Sequence, residues 1–118
     1  MVRGVRGATI ARDNTAEEIF SASSELLSEM MIANSIVPDD IACIFFSATP
    51  DLNAAFPAAA ARGLGLSSVP LFGMQEMEVP GNPARCIRIL ILLNTDRPPG
   101  ELKHIYLREA KALRPDLT

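Results

Sequence analysis

The sequence predicts an α+β fold, with one long amphipathic helix set among extended segments, and three observations carry that expectation. A capping box, Thr15-Ala16-Glu17-Glu18, opens an apolar pattern at helical spacing. Cys86 to Asn94 is an apolar run in which Ile87, Ile89, Ile91 and Leu93 share one face, a strand pattern. The chain has 118 residues, 48% of them hydrophobic and 21% charged, which fits one buried core and excludes a disordered tail or a second lobe. No repeat, low-complexity tract or linker interrupts it, so residues 1–118 are read as a single domain.

Taken in order, Val2 to Ile10 reads as a strand in which Gly4 and Gly7 mark close approach by another part of the backbone. The helix runs from Ala16 to Ala33, with Ile19, Phe20, Leu26, Leu27, Met30 and Met31 on its apolar side. Pro38 and Asp39 punctuate the chain. Ile41 to Ser47 is apolar on both alternating faces, as expected of a central strand covered on both sides. A turn at Ala48 to Leu52 precedes Phe56-Pro57 and an alanine run closed by Gly63, a short helical turn. Val69 to Val79 reads as a strand and Pro80-Gly81-Asn82-Pro83 as a tight loop. Glu101 to Leu113 is divided between helix by propensity and strand by the alternation of Ile105, Leu107 and Glu109.

Composition excludes several functions. A net charge of −3 and a pI near 5.1 argue against nucleic-acid binding. Unbroken apolar stretches such as Ile89 to Leu93 are far too short for a membrane span, and the N-terminus carries no apolar signal region, so a soluble cytoplasmic protein is expected. Cys43 and Cys86 sit in apolar runs without metal spacing and read as buried, reduced thiols. The single histidine, His104, cannot build a zinc site or a histidine-based triad with histidine partners, and no metal is expected.

The cations are unevenly chosen: nine arginines against two lysines. Arginine presents a permanently charged planar fork suited to carboxylates, so the imbalance reads either as composition or as a site for a small anion. Arg88 is the most informative residue, because it interrupts the strand Cys86-Ile87-Arg88-Ile89-Leu90 on the face of Cys86, Leu90 and Leu92. A guanidinium buried there requires an anion, supplied by an internal salt bridge or by a ligand. Glu76 poses the complementary problem, and a Glu76–Arg88 pair is the simplest structural account; alternatively both line one pocket. Arg6, flanked by glycine and valine, leaves room for a ligand against the backbone. Tyr106 and Arg114 are less distinctive by themselves. Arg3, Arg12, Arg85, Arg97 and Arg108 read as ordinary surface. No phosphate loop, dinucleotide fingerprint, nucleophile elbow or zinc-protease motif is present.

Read in register, Arg3-Gly4-Val5-Arg6-Gly7-Ala8-Thr9, Ser47-Ala48-Thr49-Pro50-Asp51-Leu52 and Phe56-Pro57-Ala58 form the first half of a pattern. Met74-Gln75-Glu76-Met77, Cys86-Ile87-Arg88, His104-Ile105-Tyr106-Leu107 and Leu113-Arg114-Pro115-Asp116-Leu117 form the second. In order and spacing the chain resembles the small monofunctional, homotrimeric chorismate mutases, as distinct from the all-helical type. The resemblance implies a mixed sheet with the long helix packed on it, a trimer with a pseudo-α/β-barrel-like core, active sites between subunits, and a strand rather than a helix around Ile105 to Leu113. It departs at Ala59, where the family often has lysine, and at Phe72 and Gly73, where small polar side chains are usual.

The implied reaction is the rearrangement of chorismate to prephenate on the route to phenylalanine and tyrosine. One C–O bond breaks as a C–C bond forms within one molecule, so no nucleophile, base, metal or cofactor is called for. The resemblance places Arg88 at the ether oxygen and a carboxylate, Arg6 and Tyr106 on carboxylates, and Glu76 on the ring hydroxyl with the backbone near Gly73. Phe56 and Leu113 would shape the apolar wall, and Arg62 and Arg114 would supply positive potential at the entrance. Two other readings stay open: a trimeric enamine/imine deaminase-like enzyme, and a non-catalytic module binding a carboxylate ligand.

Overall fold

The computed structural model describes residues 1–113. Strand β1 (Val2–Ile10) and helix α1 (Ala16–Ala33) form over the spans their patterns predict. Thr15 is extended and its Oγ1 accepts the amide of Glu18 at 3.1 Å, as an N-cap should. Glu18 does not close the box on Thr15; its Oε1 accepts the amide of Arg12 at 3.0 Å instead. Ile19, Ala22, Ser23, Leu26, Leu27 and Met30 are the buried face of α1. Phe20 and Met31, expected there, are not fully buried: Phe20 is half exposed against Gly63, where a Cβ would lie 3.2 Å from its ring.

Four further strands complete one five-stranded sheet in the order β3-β2-β4-β1-β5: β2 (Ile41–Ala48), β3 (Leu71–Gln75), β4 (Cys86–Asn94) and β5 (Ile105–Tyr106). β4 pairs antiparallel with β1 and β2, while β3 runs parallel to β2 and β5 parallel to β1. β1, α1 and β2 therefore make a crossover unit split by β4, and α1 covers one face of the sheet. The core between them joins Val5, Leu26, Leu27, Met30, Ile44, Phe46, Ile89 and Ile91. Each such side chain removed from water stabilises the fold by about 1.5–3 kcal/mol. Gly7 lets α1 come close, because a Cβ there would lie 2.5 Å from Met30 Sδ and 3.1 Å from the carbonyl of Ile105.

Several expectations change. β2 is an interior strand as expected, between β3 and β4, but it is not covered on both faces. β2 buries Ile41, Ile44 and Phe46, with a bulge between Ile41 and Cys43 that keeps Ile41 and Ile44 on one side, while Cys43 and Phe45 are only partly covered. Cys86 is buried as predicted, Cys43 is not, and both thiols are free. The strand expected over Val69 to Val79 shrinks to Leu71–Gln75, because β2, its only neighbour among the described residues, ends at Ala48. The segment after Gly100 is neither the helix of its propensity nor the long strand of the resemblance. It holds the two-residue β5 and then a 3-10 turn at Arg108–Leu113. The short helix α2 (Ala59–Gly63) forms as expected.

Three arginines that read as surface cations also cap backbone carbonyls; Arg85 is exposed as expected, while Arg97 and Arg108 are partly buried. Arg85 Nε donates to Ala11 O at 2.9 Å, Arg108 Nη1 to Ile10 O at 2.7 Å, and Arg97 Nη1 to Asn34 O. Arg85 and Arg108 hold left-handed backbone, φ 52° and 53°, a conformation that costs an L-residue about 1–2 kcal/mol.

Candidate active site

The face of the sheet away from α1 carries the candidate site. Pairing register sets four residues in one row across it: Ser47 on β2 opposes Arg88 on β4, Arg88 opposes Ala8 on β1, and Ala8 pairs with Tyr106 on β5. Arg6 lies two residues from Ala8 on the same side and so sits diagonally from Arg88. Arg88 and Tyr106 are two strand spacings apart, about 10 Å, across an alanine with no bulk to fill the gap. The result is a cleft of about 480 Å³ lined by Arg6, Phe45, Ser47, Met74, Arg88 and Tyr106, among others.

Glu76 reaches the cleft from just beyond β3. Its amide donates to Ala48 O at 2.8 Å, and this bond fixes the residue beside the end of β2. Ser47 Oγ donates to its Oε2 at 2.9 Å, Met77 N donates to Oε1 at 3.2 Å, and Arg88 Nε lies 3.0 Å from Oε2. The Arg88 side chain is 37% exposed and that of Glu76 24%. Arg88 Nε is buried and makes no hydrogen bond, so the carboxylate is near enough for an ion pair but out of line with the N–H. Both accounts of these residues therefore hold together: they pair, and the pair stands at a cleft. Burial raises the pKa of the Cys86 thiol at the same end of β4, with the positive charge of Arg88 partly opposing the shift.

The other expected site residues fall into a second group. Phe56, 82% exposed, and Gly73 line an adjoining cleft of about 580 Å³ with Pro57, Ala54 and Gln75, which shares Phe46, Ser47 and Met74 with the first. A Cβ on Gly73 would meet nothing within 4 Å, and Phe72 is exposed with its ring edge-on to Phe45 at 6.2 Å. Arg62 is exposed in the last turn of α2 and lines neither cleft. Leu113 packs on the cluster of Ala8, Ile10, Cys86, Tyr106 and Ala110. Arg114 lies outside the described residues. One chain thus unites Arg6, Glu76, Arg88 and Tyr106, while Phe56 and Gly73 line the adjoining cleft and Arg62 lines neither.

Sequence reasoning missed Ser47, Phe45 and Met74 as parts of the cleft. Alternation along β2 puts Phe45 and Ser47 on one face, but only the register with β4 shows that Arg88 shares it. Among the described residues, no three metal-ligating side chains converge, and no helix is long and apolar enough to cross a membrane.

Comparison with known proteins bears on this arrangement. Residues 2–117 match the family model for type I chorismate mutases. The chain is 49% identical to chorismate mutase AroH of Thermus thermophilus over 118 residues, covering 99% of this chain and 97% of that protein. It is 44% identical to chorismate mutase AroH of Bacillus subtilis (strain 168), covering 100% and 94%. The solved structure of a chorismate mutase from Clostridium thermocellum superposes with a TM-score of 0.91 at 46% identity, covering 93% of this chain and 98% of that one.

Proposed function

This chain belongs to the type I chorismate mutase family, and from that premise we propose how its cleft carries out the rearrangement of chorismate to prephenate. The observation that carries the reading is the row Ser47–Arg88–Ala8–Tyr106, with Arg6 diagonal to it and Glu76 paired to Arg88. A dicarboxylate with a ring hydroxyl and an ether bridge needs separated cationic donors, one acceptor and a shallow floor. The row supplies each of these. The deaminase-like alternative falls with the family assignment.

The reaction needs no proton transfer. The ether C–O bond breaks as the new C–C bond forms, and the electrons move around one ring of six atoms. The enzyme's tasks are to hold the compact conformer in which the two carbon termini meet and to stabilise negative charge growing on the ether oxygen. Arg88 meets that oxygen and a carboxylate. Its interaction strengthens toward the transition state, so it contributes to turnover. Arg6 and Tyr106 grip carboxylates whose charge does not change, so they contribute to binding. Glu76 accepts the ring hydroxyl, and the Ser47 hydroxyl and the Met77 amide hold its carboxylate in place.

The second cleft supports a site shared between subunits. Phe56, Gly73 and Arg62 do not line the Arg88 cleft of their own chain, Phe56, Phe72 and Met74 are exposed, and the sheet face around Phe45, Leu90 and Leu92 is only partly covered by the described residues. We assign Phe56, Gly73 and Arg62 to the cleft of an adjacent copy in a homotrimer, where they close the wall and entrance, while Leu113 stays with Tyr106 of its own chain; Arg114 is assigned only the supply of positive potential. A cytoplasmic location fits that metabolic role. The test is purified protein with chorismate, following substrate loss and prephenate appearance beside a solution mass measurement. The expected result is acceleration over the spontaneous reaction by a trimer. No acceleration leaves a binding module as the surviving reading, and a monomer with full turnover removes the shared site.

A further inference from the structure

Strand β5 carries Tyr106 into the cleft on two residue pairs only, Gly7 with Ile105 and Ala8 with Tyr106. So short an edge strand is held by what grips it at either end. Upstream, the buried Asn34 side chain donates to Lys103 O and accepts Lys103 N, and His104 Nδ1 accepts the amide of Arg6 at 3.0 Å. Downstream, the Leu107 amide donates to Ala8 O at 2.9 Å, and the chain then turns through Arg108 in left-handed backbone. The Arg108 guanidinium folds back across the end of the sheet. Nη1 donates to Ile10 O at 2.7 Å and to Glu18 Oε1 at 3.0 Å, and Nε stands 3.4 Å from Glu25 Oε1.

We infer that Arg108 is a positioning residue for the carboxylate-binding edge of the cleft: by clasping β1 and α1 together it fixes Tyr106 and Leu113 on either side of it. The inference rests on the mutase reading above for its kinetic consequence, but not for its structural one. Its side chain is 18% exposed and turned toward α1, so it touches no ligand in the cleft. Tyr106 binds a carboxylate that keeps its charge through the rearrangement, so a looser Tyr106 weakens ground and transition states alike. The loss falls on KM and spares kcat.

Arg108→Gly is the informative change, because glycine accepts φ 53° without strain and only the clasp is removed. The expected outcome is a KM raised about tenfold with kcat held within about threefold. Tyr106 is the only tyrosine and the chain has no tryptophan, so tyrosine emission reports this residue alone. Its quenching by acrylamide should rise in Arg108→Gly. Arg108→Lys, which keeps the charge without the fork, should lie between wild type and glycine in both measurements, and it carries the test should the glycine variant not fold. Ile41→Val removes one buried methyl group where β2 opposes Leu93, at the far end of the sheet from Ile10. It should lower Tm while leaving KM, kcat and quenching at wild-type values. Wild-type KM and quenching in both Arg108 variants, or an equal change in Ile41→Val, overturns the inference. A wild-type enzyme that fails to convert chorismate strikes the mutase reading instead, and the quenching comparison stands independently of it.

Discussion

Two arginine–glutamate pairs lie on opposite sides of one sheet at the same separation. Arg108 Nη1 stands 3.0 Å from Glu18 on the helix side, and Arg88 Nε stands 3.0 Å from Glu76 on the open side. Distance does not distinguish them; completeness does. Arg108 distributes its donors over Ile10 O, Glu18 and Glu25, and Glu18 also takes the Arg12 amide, so the pair is satisfied within the fold. Arg88 Nε makes no hydrogen bond, and the Glu76 carboxylate beside it is out of line. A pair with unspent donors at a cleft can accept a second anion. A pair whose donors are already spread over a backbone carbonyl and two carboxylates holds structure together.

The largest effect should come from the open pair. Arg88→Ala is expected to lower kcat by at least about 10²-fold, the loss typical of one donor aimed at developing negative charge. Circular dichroism and solution mass should stay at wild-type values, since the Arg88 side chain is 37% exposed at the open cleft rather than packed in the core. An Arg88→Ala protein that unfolds, together with an unfolded Glu76→Ala, would make the open pair a structural one after all. A smaller effect is expected of Glu76→Gln. The neutral amide still accepts from the Ser47 hydroxyl, but it no longer accepts as a charge from the ring hydroxyl or orients Arg88. Steady-state kinetics should show kcat/KM down about tenfold or more, the scale of a lost charge-assisted hydrogen bond. Unchanged kcat/KM would remove Glu76 from the ligand's contacts.

Much of this contrast was legible in the residues, and some was not. Arg88 and Glu76 stood out because a charge inside an apolar strand breaks a local pattern. Helix α1 and strands β1 and β4 were readable end to end because capping and alternation are local too. The excess length assigned to β3 came from β-branched residues at Val69 and Val79, whose propensity cannot show that the neighbouring strand stops at Ala48. Arg85, Arg97 and Arg108 looked like solvent cations because the carbonyls they cap are 74, 63 and 98 residues away. The cleft itself depends on register: alternation gives Ser47, Arg88 and Ala8 a face each, and only pairing places those faces in one row.

The satisfied pair makes the smallest prediction, and pH reveals it. The amide of Arg12 holds the Glu18 carboxyl below its ordinary pKa of 4.5, aided by the Arg108 guanidinium and opposed in part by burial. The ionised form is therefore favoured in the folded chain over the unfolded one, and its stabilisation is fully present above the unfolded value. It disappears as pH falls from about 4.5 through the lower folded value, where both states become protonated. Glu18→Gln lacks this titration. Thermal melts of wild type and Glu18→Gln should differ in Tm at neutral pH, with wild type higher, and the gap should narrow below about pH 4.5 as wild type loses its advantage. A gap that stays constant from neutral pH down to pH 3 would show that Glu18 stabilises the fold by shape and hydrogen bonding rather than by charge. The distinction drawn between the two pairs would then rest on geometry alone.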